Sequence, residues 1–102
     1  MTFKELYGDK SNEVYNGNLD ILNQNLTSLE GIYKEINGNF NCSFNKLKSF
    51  KYCPNIKGNF YCLGNNITHF TNKRYFKNVK LDNDIKQKYI EYTKINFTQY
   101  FI

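Results

Sequence analysis

Apolar and polar positions recur along this chain with a period of about twenty residues. The stretch "GNFNCSFNKLKSF" fills 38–50, and "GNFYCLGNNITHF" fills 58–70. An earlier copy, "GNLDILNQNLTSL", fills 17–29. Aligned, the copies share five slots. Leu19, Phe40 and Phe60 take the first, and Ile21, Cys42 and Cys62 the second. Gln24, Asn45 and Asn65 follow, then Leu26, Leu47 and Ile67, and finally Leu29, Phe50 and Phe70. A reduced fourth copy, "NVKLD", puts Val79 and Leu81 in the first two slots. Those slots lie two residues apart, so both side chains share one face of a short strand. A unit of this size cannot bury its apolar side alone, but stacked units can. The spacing therefore predicts parallel pairing of strands near 19–21, 40–42, 60–62 and 79–81.

Residues that alternate with the core slots are expected on the open, concave side of that sheet. They are Asn18, Asn39, Asn59 and Asn78; then Asp20, Asn41, Tyr61 and Lys80; then Leu22, Ser43, Leu63 and Asp82. Most are polar. Tyr61 and Leu63 stand out as apolar neighbours, with Phe44 beside them, and exposed aromatic groups on a rigid sheet are candidate anchors for a partner. Asn41, Phe44, Tyr61, Leu63 and Lys80 are the candidate contact residues. Asn45 and Asn65 fall where the chain leaves the strand, where an inward amide can satisfy backbone groups of adjacent turns. Ile36 and Ile56, two residues before the glycines Gly38 and Gly58, are expected to fill core volume.

The ends of such a stack need covers. Phe3, Leu6, Tyr7 and Val14 are the expected apolar contacts of an N-terminal cap. From about Asp84 the chain reads as a helix, with Asp82 or Asn83 as its cap. Ile85, Tyr89, Tyr92 and Asn96 form one stripe, with Ile90 and Phe97 beside it. The expected organisation is a single domain, 1–102, with a cap at 1–16, repeats at 17–81 and a helical cap at 82–102.

Charge adds a second candidate surface. Residues 1–31 carry two basic and five acidic groups (2 − 5 = −3), and the remainder carries twelve and four (12 − 4 = +8). Lys46, Lys48, Lys51, Lys57, Lys73, Arg74 and Lys77 form an alternative basic surface, and aromatic residues among basic ones suit RNA or DNA. No run approaches the roughly 20 apolar residues of a membrane span. The N-terminus "MTFKELYGDK" lacks the apolar centre of a signal peptide. A cytoplasmic location, without membrane contact, is the expectation.

Three cysteines in such a chain favour free thiols. Cys42 and Cys62 are expected to be buried and inert, and Cys53, in a linking segment, to be the most reactive. There is no C-x-x-C pair, and His69 is the only histidine. No nucleophile–base spacing or phosphate loop appears. A metal site, a catalytic residue, a cofactor and a small-molecule substrate are therefore not expected, and the chain does not read as an enzyme.

The slots resemble the leucine-rich repeat, here written Phe60-x-Cys62-x-x-Asn65-x-Ile67-x-x-Phe70. Over roughly 14–81 the chain is more similar to the short "GNFxCxxNxLxSLxxCPxxI" repeats in small proteins of tailed phages and low-G/C bacteria. "KYCPNIKGNF" (51–60) and "GIYKEINGNF" (31–40) match the linking segment of those repeats. Gln24 departs from the pattern, and the fourth copy has neither the Gly nor the Asn. The resemblance implies an α/β solenoid of about four short parallel strands with an N-terminal cap and a C-terminal capping helix. It also implies a scaffold that binds another protein or a ribonucleoprotein. Phage relatives imply a partner in host-cell cytoplasm, such as a CRISPR nuclease or another defence protein inhibited by occlusion.

Overall fold

The computed structural model describes residues 1–70 and 78–96. The chain is α/β, with parallel strands in two sheets. A short helix α1 (Phe3–Tyr7) precedes strands β1 (Val14–Asn16), β2 (Leu19–Asp20), β3 (Glu35–Asn37), β4 (Phe40–Asn41), β5 (Asn55–Ile56), β6 (Phe60–Tyr61) and β7 (Val79–Lys80). Helix α2 (Asn83–Asn96) follows. The larger sheet has the order β2-β4-β6-β7, and the smaller β1-β3-β5.

Register in the larger sheet is the one that the spacing predicts. Leu19 pairs with Phe40, Phe40 with Phe60, and Phe60 with Val79, all in parallel. Like residues therefore stack on like. The Phe40 and Phe60 rings are stacked, 5.6 Å apart and nearly parallel, at 13°. Leu26, Leu47 and Ile67 are buried, as are Cys42 and Cys62.

The linking segments form the smaller sheet, an element the spacing does not announce. Val14–Asn16 pairs with Glu35–Asn37, which pairs with Asn55–Ile56. Ile36 is its fully buried side chain. Between the two sheets the coils come very close. A Cβ on Gly38 would overlap the Gly17 carbonyl, and one on Gly58 would collide with Asn39 and the Gly38 carbonyl. Glycine is needed there for close approach, not for an unusual φ.

Both ends are covered, though not wholly by the expected residues. At the N-terminus only Phe3 of the four expected residues is buried; Leu6, Tyr7 and Val14 remain exposed. The first turn carries a reciprocal cap. Glu5 N–H donates to Thr2 Oγ1 (3.1 Å), and Thr2 N–H donates to Glu5 Oε1 (2.9 Å). That backbone hydrogen bond from Thr2, then the one from its side chain, holds the Glu5 carboxyl below its ordinary 4.5. The cap's contribution is thus full above pH 4.5 and fades as pH falls through the lower folded-state value. At the other end Tyr89 packs edge-on against Phe50 (5.6 Å) and Phe70 (5.4 Å), so α2 docks on the last full copy. Ile85 and Tyr89 are buried, as the stripe predicts. The Asn96 side chain and Phe97 lie outside what is described.

All three cysteines are free and buried. For Cys53 this corrects the sequence reading: it is 5 % exposed. Its N–H donates to Phe50 O (3.0 Å), as Ile32 N–H donates to Leu29 O (3.0 Å). Cys53 therefore fills a repeated core slot that Ile32 occupies one copy earlier. Burial, then a hydrogen bond with Cys62, pushes the Cys42 thiol well up from its ordinary value. Native protein is accordingly expected to resist thiol labelling at all three positions, reacting only as fast as it opens. Stoichiometric labelling of any one thiol within the mixing time would contradict that packing.

Candidate interaction face

Most polar side chains at the repeated positions are already used to hold the copies together. Asn45 Oδ1 accepts from the N–H groups of Gln24 (2.9 Å) and Leu26 (3.0 Å). Its Nδ2 donates to the carbonyls of Ile21 and Cys42, both at 3.0 Å. Asn65 repeats this one copy on, accepting from Leu47 N–H (3.0 Å) and donating to Cys42 O (3.0 Å). Gln24 does not join. Its side chain is exposed and accepts from the Tyr7 hydroxyl (2.9 Å).

A second amide ladder lies at the sheet entrance. Asn39 N–H donates to Asn18 Oδ1 and Asn59 N–H to Asn39 Oδ1, each at 2.8 Å. These asparagines, expected as a free polar surface, act as clasps between coils. Ser43 is a clear correction. Alternation places it outward, yet it is buried, and its hydroxyl accepts Leu63 N–H (3.0 Å). The strand ends at Asn41, so the two-residue period no longer applies at Ser43.

What remains for a partner is a narrower face. Asp20, Asn41, Tyr61 and Lys80 stand in register across the larger sheet. An acid, an amide, a phenol and an ammonium thus make one row. The inner members are partly committed: Asn41 Oδ1 accepts Ser43 N–H (3.0 Å), and Asn59 Nδ2 donates to the Tyr61 hydroxyl (3.3 Å). Tyr61 and Leu63 are half-buried and Lys80 is exposed.

Phe44 is the most prominent apolar group of this region, 58 % exposed. Its φ is +57°, in the left-handed region. The same turn position holds Asn23 (φ +55°) in the first copy and Gly64 (φ +62°) in the third. The Phe44 ring lies over Gly64, and a Cβ there would overlap it. Asn and Gly are the residues that accept this backbone conformation readily, and Phe is not. The Asn23–Phe44–Gly64 alignment was the signal in the sequence that could have marked this turn.

The alternative basic surface is only partly within view. Lys46, Lys48, Lys51 and Lys57 are exposed; Lys73, Arg74 and Lys77 lie outside the described residues. Lys57 pairs with Glu35 (3.5 Å), and Lys51 Nζ sits 5.1 Å from the centre of the Tyr52 ring. Lys46, Lys48 and Lys51 come from one copy. The matching places in the first copy are Asn25, Thr27 and Glu30, and Lys46 and Lys48 become Asn66 and Thr68 in the third. Lys46, Lys48 and Lys51 thus form a basic ribbon confined to one copy, with Lys57 in the linking segment that follows. Exposed His69 shares a 2.9 Å contact with Thr68. Among the described residues no His, Cys, Asp or Glu cluster could hold a metal ion, and no helix is long and apolar enough to cross a membrane.

No protein-family model, curated protein or solved structure matches this chain.

Proposed function

We propose that this chain is a non-enzymatic binding module, a small leucine-rich-repeat-like solenoid whose larger sheet contacts another protein or a ribonucleoprotein. Phe44 carries the reading. A phenylalanine in the left-handed region costs on the order of 1–2 kcal/mol against Asn or Gly. Here the ring gains only partial burial in return. Exposed Tyr52 shares this backbone conformation (φ +69°), but Phe44, whose N–H donates to Leu63 O (2.7 Å), is the one beside the larger sheet, and strain with exposure there points to a contact made in a complex. Tyr61 and Leu63 extend that contact over the sheet, and Lys80 supplies a charge at its side. The rigid copies lose little freedom on binding, which favours affinity. The repeat's resemblance to phage proteins makes a host defence nuclease, blocked by occlusion, the partner class to try first.

The test compares capture of a partner by the wild type, by Phe44→Asn/Tyr61→Ser, and by Lys48→Glu/Lys51→Glu. Phe44→Asn installs the residue that the first copy uses, so the fold is expected to hold or to gain stability. Loss of two central anchors should weaken binding by about thirtyfold or more. Charge reversal should change it only slightly. The opposite pattern, with retention on heparin falling as salt rises, would transfer the function to nucleic acid through the basic ribbon.

A further inference from the structure

The N-terminal end of the larger sheet has the features of a separate binding site. Between β2 and β4, Leu19 and Ile21 donate their N–H groups to the carbonyls of Asn39 and Asn41, both at 2.9 Å. One copy earlier, the corresponding carbonyls belong to Asn18 and Asp20, on the far side of β2. Among the described residues no backbone N–H bonds to either. The N-terminal segment flanks this edge through Phe3, Tyr7 and Lys10 but gives its carbonyls no backbone hydrogen bond. It fastens elsewhere, with Phe3 N–H on Ser28 O (3.0 Å) and Lys4 N–H on Glu30 O (2.8 Å).

Beside the open edge lies a cavity of about 180 Å³, lined by Phe3, Tyr7, Leu19, Ile21 and Tyr33, with Asp20 and Lys10 also at its wall. Its walls are mainly aromatic and aliphatic. Its volume suits one apolar side chain of leucine or valine size. The surrounding chain, residues 1–31, carries −3, and Lys10 lies 4.0 Å from Glu13.

We propose that this edge takes an extended, basic peptide as an added strand, at a site apart from Phe44 and Tyr61. Main-chain groups of the peptide continue the ladder on the carbonyls of Asn18 and Asp20. Alternation then sends one side chain inward, to the cavity, and its neighbour outward, beside the Asp20 carboxylate. The recognised pattern is thus an aliphatic residue followed by lysine or arginine. An acidic peptide is disfavoured by the Asp20 carboxylate and the net negative charge of residues 1–31.

The probe is an acetylated pentapeptide, Thr-Leu-Lys-Val-Thr, titrated into the full chain with ¹⁵N-labelled amides observed by NMR. The amides of Leu19, Asp20 and Ile21 are expected to shift, while those of Phe44 and Tyr61 stay in place. Changing the peptide's lysine to glutamate, or methylating its backbone nitrogen, should each weaken binding by about tenfold. Asp20→Asn keeps the acceptor for Leu22 N–H (3.0 Å) but removes the charge. It should weaken the lysine peptide by about twofold to fivefold and leave the fold unchanged. Shifts confined to Phe44 and Tyr61, or equal binding of the N-methylated peptide, would overturn the proposal. So would concentration-dependent dimerisation in sedimentation that buries Asp20, since the edge would then belong to a second copy.

Discussion

Asn45→Ala is expected to destabilise the fold by about 4 kcal/mol, enough to consume much of a small domain's stability. The Asn45 amide serves two N–H groups and two carbonyls of neighbouring turns. Alanine removes the partner of both N–H groups and of the Ile21 carbonyl, while the Cys42 carbonyl keeps Asn65 Nδ2, and each buried unpaired group costs about 1–3 kcal/mol. No other side chain can take over, because Asn65 is occupied with the next pair of copies. Gln24→Ala is the internal control. It removes the same slot in the first copy, where the side chain is exposed and bonds Tyr7 and the Leu22 carbonyl. That change should cost less than about 1 kcal/mol. Urea unfolding of both variants decides it; equal midpoints would mean that the amide ladder is not what joins the coils.

Phe60→Ala should be nearly as damaging, at about 3–5 kcal/mol. Phe60 is buried in the last full copy, stacked on Phe40 and in contact with Phe50 (5.6 Å). Its removal opens a cavity shared by three coils, which rigid backbone ladders prevent from collapsing. Phe60→Leu keeps most of the volume and should recover at least half of the loss. A wild-type melting temperature for Phe60→Ala would contradict the register in which Phe40 and Phe60 meet.

The parts of the fold that repeat were legible, because a period can be counted only where a slot recurs. Phe40, Phe60 and Val79 announce their pairing through spacing alone, and Asn45 and Asn65 announce the ladder. The smaller sheet was not legible. Its strands are two or three residues long, and each offers one inward side chain, such as Ile36, too few to show alternation. Cys53 was misread because the linking segments differ in length by one residue. The Ile32–Cys53 correspondence is therefore visible from the preceding slots and lost from the following ones. Ser43 failed for a local reason: alternation holds only while the strand lasts. At the candidate face, Tyr61 followed from alternation, whereas Leu63, like Ser43, lies beyond the end of its strand. The conformation of Phe44 did not follow, because a phenylalanine gives no sign that its backbone is left-handed.

The central claim is that Phe44 meets a protein. A photo-reactive benzoylphenylalanine placed at position 44, and in a parallel sample at position 48, tests this in the cell where the chain acts. The account predicts one discrete protein adduct from position 44, competed away by excess unlabelled wild type, and little from position 48. An adduct to nucleic acid, or one formed from position 48 and not from 44, would contradict it.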